Sequence, residues 1–279
     1  MKKLSNERYT GERALFFGED LEIENCLFED GESPLKESKH IRLTGCTFAW
    51  KYPLWYSRDI AVNACTWRET ARSGVWYTDE ITVEDSFIDA PKTFRRASGV
   101  TLRRVRMPHA AETMWHCRDV VLEDVEAAGD YFGMDCDNVR AERFRLDGNY
   151  CFDGARNVRV KDAYLNSKDS FWNTTDVVVE DSVIIGEYLG WNSTNLTLIN
   201  CTVESLQGMC YINNLRLVNC TLRNTTLAFE YCSVDADVVG TVDSVLNPTS
   251  GVIRAGRIGE LIIEPNRVDP SRTTVIIKE

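Results

Sequence analysis

His116, Asp135 and Asp153 are the residues of this sequence whose types and spacing suit acid and base chemistry. They fall in three consecutive copies of a repeated segment, at matching or nearly matching positions. Repeats stacked ~4.8 Å apart would bring such carboxyl groups into the ~5–9 Å range over which a glycosidic bond is attacked from two sides. Arg95 and Arg96 stand one copy earlier, where their guanidinium groups can hold a negatively charged ligand. The same stretch of each copy carries aromatic residues. Trp55, Trp76, Trp115, Trp172 and Trp191 share one position; Tyr56, Tyr77, Asn173, Asn192, Tyr211 and Glu230 share the next. In a stacked repeat these become a column of rings beside a column of polar groups, a face suited to an extended ligand such as an oligosaccharide.

The positioning element is a strand-turn-strand unit, plainest as Leu215-Arg216-Leu217-Val218-Asn219-Cys220-Thr221-Leu222. Its first apolar residue, here called the mark, recurs at Leu21, Ile41, Ile60, Ile81, Val100, Val120, Val139, Val158, Val177, Leu196 and Leu215, with a weaker copy at Val234. Steps of 19 to 21 residues identify a solenoid, in which each repeat buries its apolar side against its neighbours. Alternating Val, Ile, Thr and aromatic residues, with no stretch at helical spacing, make every element a strand. The expected fold is an all-β, single-stranded right-handed parallel β-helix of about twelve coils, since parallel crossovers are overwhelmingly right-handed. One domain is expected over 1–279: an N-terminal cap and first coil over 1–20, regular coils over 21–234, and irregular C-terminal coils and cap over 235–279.

Relative to the mark, the tryptophans lie five residues before, with Lys36, Arg95, Met134, Asp153, Cys210 and Phe229 in the same register. The position four before holds Glu37, Tyr56, Tyr77, Arg96, His116, Asp135, Gly154, Asn173, Asn192, Tyr211 and Glu230. The position three before is small and reads as buried, as in Ser57, Thr78 and Ala97. Strand parity would put the tryptophans on that same inward side, yet burying Lys36, Arg95 and Asp153 is costly. Core or surface therefore stays open for the ring column. A register eight before, with Tyr52, Lys92, Glu112, Tyr131, Tyr150, Asp169 and Tyr188, widens the polar face. Four after the mark, Asn25, Asp85, Asp124, Asp162, Asp181, Asn200 and Asn219 mark a tight turn.

Composition narrows the partners. A net charge of −11 and a pI near 4.9 argue against nucleic acid and anionic membranes, and no apolar run is long enough to span a bilayer. The start Met1-Lys2-Lys3-Leu4-Ser5 lacks the apolar core of a signal peptide, which points to the cytoplasm. Of the ten cysteines, Cys26, Cys46, Cys65, Cys201 and Cys220 share a position that Ser, Ala, Val or Phe fills elsewhere. That reads as a packing slot holding free thiols. No metal or cofactor is expected.

Segments such as KYPLWY at 51–56, ETMWHC at 112–117, GNYCFDG at 148–154, SKDSFWN at 167–173 and GEYLGWN at 186–192 make the chain resemble a bacterial domain-of-unknown-function family of the pectin-lyase-like right-handed β-helix superfamily. The resemblance implies a β-helix whose wider superfamily includes carbohydrate lyases, hydrolases and esterases. The polygalacturonase Asn-Thr-Asp, Asp-Asp and Arg-x-Lys set is missing, and so are clustered calcium-binding aspartates, so no catalytic residue carries over. The functional expectation is binding of an oligosaccharide along the aromatic and polar outer face, with processing by Asp135, Asp153 and His116 in an enzymatic reading. The alternative is a non-catalytic carbohydrate- or protein-binding scaffold.

Overall fold

The repeat folds because its apolar residues at the mark and two residues later both point inward from a six-residue strand. The computed structural model describes residues 1–278 and divides into two compact units, 1–140 and 141–279. In the first unit, strands Glu19–Glu24, Lys39–Thr44, Arg58–Asn63, Asp79–Glu84, Ser98–Arg103 and Arg118–Glu123 pair in parallel. The pairing sets mark on mark: Leu21 on Ile41, Ile60 on Ile81, Val100 on Val120. A turn follows each, then a short strand such as Thr47–Phe48 or Thr66–Trp67. The long step from Ile60 to Ile81 is absorbed by a single 3₁₀ turn, Glu69–Ala71.

The second unit repeats the arrangement with Arg156–Lys161, Thr175–Glu180, Thr194–Ile199 and the long strand Asn213–Arg223. The register slips between Leu217 and Cys220 where this strand meets Ser233–Val239, which is why the copy at Val234 reads as degraded. Pairing nevertheless continues, Val234 on Gly251 and Gly251 on Thr273. Lys2 likewise pairs with Leu21 at the other end of the chain. The turns therefore number about 15, not the expected twelve or so. The others fall within 1–20 and 235–279, where a first coil and irregular C-terminal coils are expected, but their marks go uncounted because Lys2, Gly251 and Thr273 are not apolar. The structure is all-β; its only helical segments among the described residues are the 3₁₀ turns Glu69–Ala71 and Pro270–Arg272. No helix is long and apolar enough to cross a membrane.

Besides a left-handed residue six before the mark in the coils from Val120 to Leu215, Met114, Phe152 and Phe171 among them, each regular coil turns at four corners where the backbone enters the left-handed region. They lie eight, four and one residue before the mark and four after it; in one coil these are Lys92, Arg96, Gly99 and Arg104. The corner one before the mark, with Asp20, His40, Asp59, Glu80, Asp119, Asn138, Asp176, Asn195 and Asn214, is a polar column absent from the sequence-based expectation. Its signal was the run of Asp, Asn, Gly and His just ahead of each mark, residue types that tolerate φ > 0. Amides climb these corners: Asn214 to Asn195 to Asp176 at 2.8 and 2.6 Å, and Asn219 to Asn200 to Asp181 at 2.9 and 3.0 Å.

The cysteine slot is more than packing. Beyond the turn, the Cys46 N–H donates to Cys65 Sγ (3.2 Å) and the Cys65 N–H to Ser86 Oγ (3.0 Å), while Cys46 Sγ donates back to the Ile23 carbonyl (3.4 Å). A thiol or hydroxyl thus accepts an N–H from the coil before it and returns a hydrogen bond there, satisfying groups the turn takes out of the ladder. All ten cysteines are free and buried. Burial pushes the Cys210 thiol up to about 12 and those of Cys151 and Cys232 upward too, so they are inert.

Candidate functional site

The left-handed residue four before the mark settles where the tryptophans go. Side chains alternate only along extended backbone, and a φ near +55° at Tyr56, Tyr77 or His116 swings the chain by a corner. The residue three before stays buried, as at Ser57, Thr78 and Cys117, while the residue five before lies half-buried along the flank, except at Cys210 and Phe229, which are core. Trp55, Trp76, Trp115, Trp172 and Trp191 are all half-buried, whereas Trp67, in another register, is core against Phe48 at 4.9 Å.

Four of the five indoles clasp the next coil. Trp55 Nε1 donates to the Ser73 carbonyl, Trp76 to Lys92 (2.8 Å), Trp115 to Tyr131 (2.7 Å) and Trp172 to Tyr188 (2.7 Å). The acceptor is every time the corner eight before the next mark. In the first unit the rings also stack on one another. Trp55 and Trp76 lie 5.1 Å apart and 8° from parallel, and the Arg95 guanidinium is sandwiched 4.6 Å from Trp76 and 4.5 Å from Trp115. With their faces taken, these indoles present edges to solvent, so a flat platform of exposed indole faces is not what the column offers.

The outer column of this unit is open. Tyr56 and Tyr77 stack at 4.8 Å and 3°, Tyr56 being 49% exposed. Lys36 Nζ lies 5.6 Å from the Tyr56 ring, and Arg96 Cζ lies 5.8 Å from the Tyr77 ring. His116 Nδ1 then meets Asp135 Oδ2 at 3.6 Å, both side chains exposed. Below them Glu112 holds Lys92 at 3.0 Å and Arg95 Nη2 at 3.6 Å. Three further arginines of the Arg95 coil are matched to carboxylates: Arg103 to Glu84 and Glu123, Arg104 to Asp85, Arg106 to Glu126.

In the second unit, Trp172, Trp191, Tyr211 and Tyr231 form a ladder with successive rings 5.7, 4.6 and 5.3 Å apart. Beside it Asn192 donates to Asn173, and Asn173 to Asp153, each at 2.9 Å. Gln207 donates to Glu230 at 3.0 Å. The structure thus brings His116 and Asp135 together in one unit, while Asp153 has Asn173 as its partner in the other. Sequence reasoning left Asp169 off the site. Half-buried, it takes a hydrogen bond from Tyr150, whose ring packs edge-on against Trp172 at 5.7 Å. Burial holds the Asp169 carboxyl above the usual carboxylate range; the Tyr150 hydrogen bond opposes this and the Glu187 charge adds to it. Only its register hinted at this, because burial is not written in the residue type. No group of three or more His, Cys, Asp or Glu among the described residues is arranged to hold a metal.

Residues 2–276 match the model of a family described as a protein of unknown function, DUF3737. No curated protein matches. Among solved structures, the A-module of a mannuronan C-5 epimerase of Azotobacter vinelandii is similar at 12% identity, over 99% of this chain and 90% of that one, with a TM-score of 0.41. PfbA, a surface adhesin of Streptococcus pneumoniae, gives 8% identity over 99% and 84%, TM-score 0.43. A mutant tailspike protein of E. coli bacteriophage HK620, in complex with a pentasaccharide, gives 8% over 99% and 70%, TM-score 0.43.

Proposed function

We propose that this chain, which belongs to the DUF3737 family of proteins of unknown function, binds an oligosaccharide along the outer face formed by the positions eight to four before the mark. The observation that carries the reading is the pairing of two ladders in the second unit. Tyr211, 40% exposed, continues the Trp172–Trp191 stack beside the Asn192–Asn173–Asp153 amide chain. Aromatic edges and phenols supply apolar contact, amides both donate to and accept from sugar hydroxyls, and carboxylates accept from them. Rungs at the strand spacing of ~4.8 Å repeat those contacts along a chain-like ligand. Screening a glycan array and titrating the best hits into the wild type, Asn173→Ala and Tyr211→Ala tests it. Both variants should bind about tenfold or more weakly while still melting cooperatively as folded proteins, at a midpoint lowered only by the loss of one rung. An array with no binder ends the reading.

A second reading adds turnover, favoured by Asp169 and by the His116–Asp135 contact. A carboxyl whose pKa burial raises suits the part of a general acid, and Asp153, which accepts the Asn173 amide, that of base or nucleophile. Chromatography of each binding glycan after incubation decides it. Asp169→Asn or Asp135→Asn should abolish any product formed by the wild type. Binding without product leaves a scaffold.

A further inference from the structure

One rung of the first unit carries a positive charge that the protein does not use. Arg96 sits four before its mark with φ +50°, exposed, and has no carboxylate partner among the described residues. Its contacts are the Tyr77 ring below and, on the next coil, the rung of His116, to which it is tied by the Arg96 N–H to Trp115 carbonyl bond at 2.8 Å. Arg103, Arg104 and Arg106, on the same coil, each find a carboxylate, in a chain with 43 acidic and 32 basic residues. Arg95 beside it cannot serve as a clamp. Both its faces lie against indoles, and its Nε and Nη2 are buried without a hydrogen-bond partner. Its nearest carboxylate oxygen, on Glu112, is 3.6 Å away and shared with Lys92. That buried, incompletely compensated charge makes the surface above it favourable for an anion.

We infer that the ligand of this face is an acidic sugar chain and that Arg96 takes its carboxylate. This rests on the oligosaccharide reading above and adds the charge class of the ligand and the residue that selects it. The guanidinium fork matches a carboxylate with two parallel hydrogen bonds, and the Tyr56–Tyr77 pair flanks it with apolar edge for the sugar ring. His116 lies on the far side, its Nδ1 3.6 Å from Asp135 Oδ2. The site therefore takes one acidic group at a defined rung.

The test is calorimetric titration with galacturonate oligomers and with the same oligomers after carboxyl reduction, which are neutral. The uronates should bind about tenfold or more tightly than their neutral counterparts. Arg96→Gln should drop uronate affinity to the neutral level without changing neutral affinity, and Arg96→Lys should fall between. Arg118→Gln, an exposed arginine off the column, should change nothing. Thermal melting confirms that each variant is folded. Equal binding of acidic and neutral oligomers, or full uronate affinity in Arg96→Gln, overturns the assignment and leaves the binding face standing. If neither oligomer binds, the acidic-sugar assignment falls; if the glycan array is blank as well, the binding face falls with it.

Discussion

Replacing Trp76 tests whether the ring column is a clasp. In Trp76→Ala the indole hydrogen bond to the Lys92 carbonyl is lost, about 1 kcal/mol net. The near-parallel stack on Trp55 contributes about 1 kcal/mol beyond area, and the Arg95 contact about 0.5–1 kcal/mol. The half-buried ring adds roughly 1 kcal/mol of apolar burial. A loss of about 3–4 kcal/mol follows, a large share of a typical domain's stability. Trp76→Phe keeps a ring against Trp55 and Arg95 but has no N–H, so it should lose only about 1 kcal/mol. Urea unfolding followed by far-UV circular dichroism reads both, with stability taken from the midpoint at unchanged slope. If Trp76→Ala unfolds within about 0.5 kcal/mol of the wild type, the indole holds nothing together and the clasp is refuted.

Cys65→Ser should be nearly neutral because a hydroxyl still accepts the Cys46 N–H, whereas Cys65→Val, which strands that donor, should cost about 1–3 kcal/mol; equal effects would make the slot mere packing. Asp169, with its folded pKa raised, favours the protonated folded state. Stability should therefore rise as the pH falls through the folded pKa, and Asp169→Asn should remove that slope and raise the melting temperature at pH 7. A slope that survives in Asp169→Asn assigns it to another group. Acrylamide should quench part of the tryptophan emission, from the six half-buried indoles (Trp50 and the five of the column), and leave a resistant fraction from Trp67; complete quenching or none contradicts the burial described. Thiol titration without reductant should find all ten cysteines in denaturant and almost none quickly in the native protein.

Much of the coil was legible because parallel stacking forces equivalent residues into equivalent places. Leu21, Ile41 and Ile60 read as one column from their spacing alone, and the Asn and Asp of the turn after the mark read as another. The terminal turns at Lys2, Gly251 and Thr273 were hidden because their pairing is made by backbone hydrogen bonds, which do not require an apolar side chain at the mark. The thiol corners were half-read. Cys26, Cys46 and Cys65 were recognised as one slot, but an unpaired N–H looking for an acceptor leaves no mark on composition.

What the sequence by itself determined is the period, and with it an all-strand solenoid whose aromatic and polar residues form columns. Which way those columns face was decided by the tertiary structure. Parity along a strand predicts sides only while the backbone stays extended, and here Tyr56, Tyr77, Arg96, His116 and Asp135 occupy the left-handed region. For such side chains that conformation costs roughly 1–2 kcal/mol each, so propensity would not have placed a corner there. The stacked coils offset that cost: one corner repeated through neighbouring turns closes backbone ladders that no single repeat can form. The same stacking supplies the carbonyls that Trp55, Trp76, Trp115 and Trp172 bind, 16 residues on from Trp76 in the next coil, and the burial that shifts Asp169. Those partners belong to neighbouring coils, and a repeat read alone does not contain them.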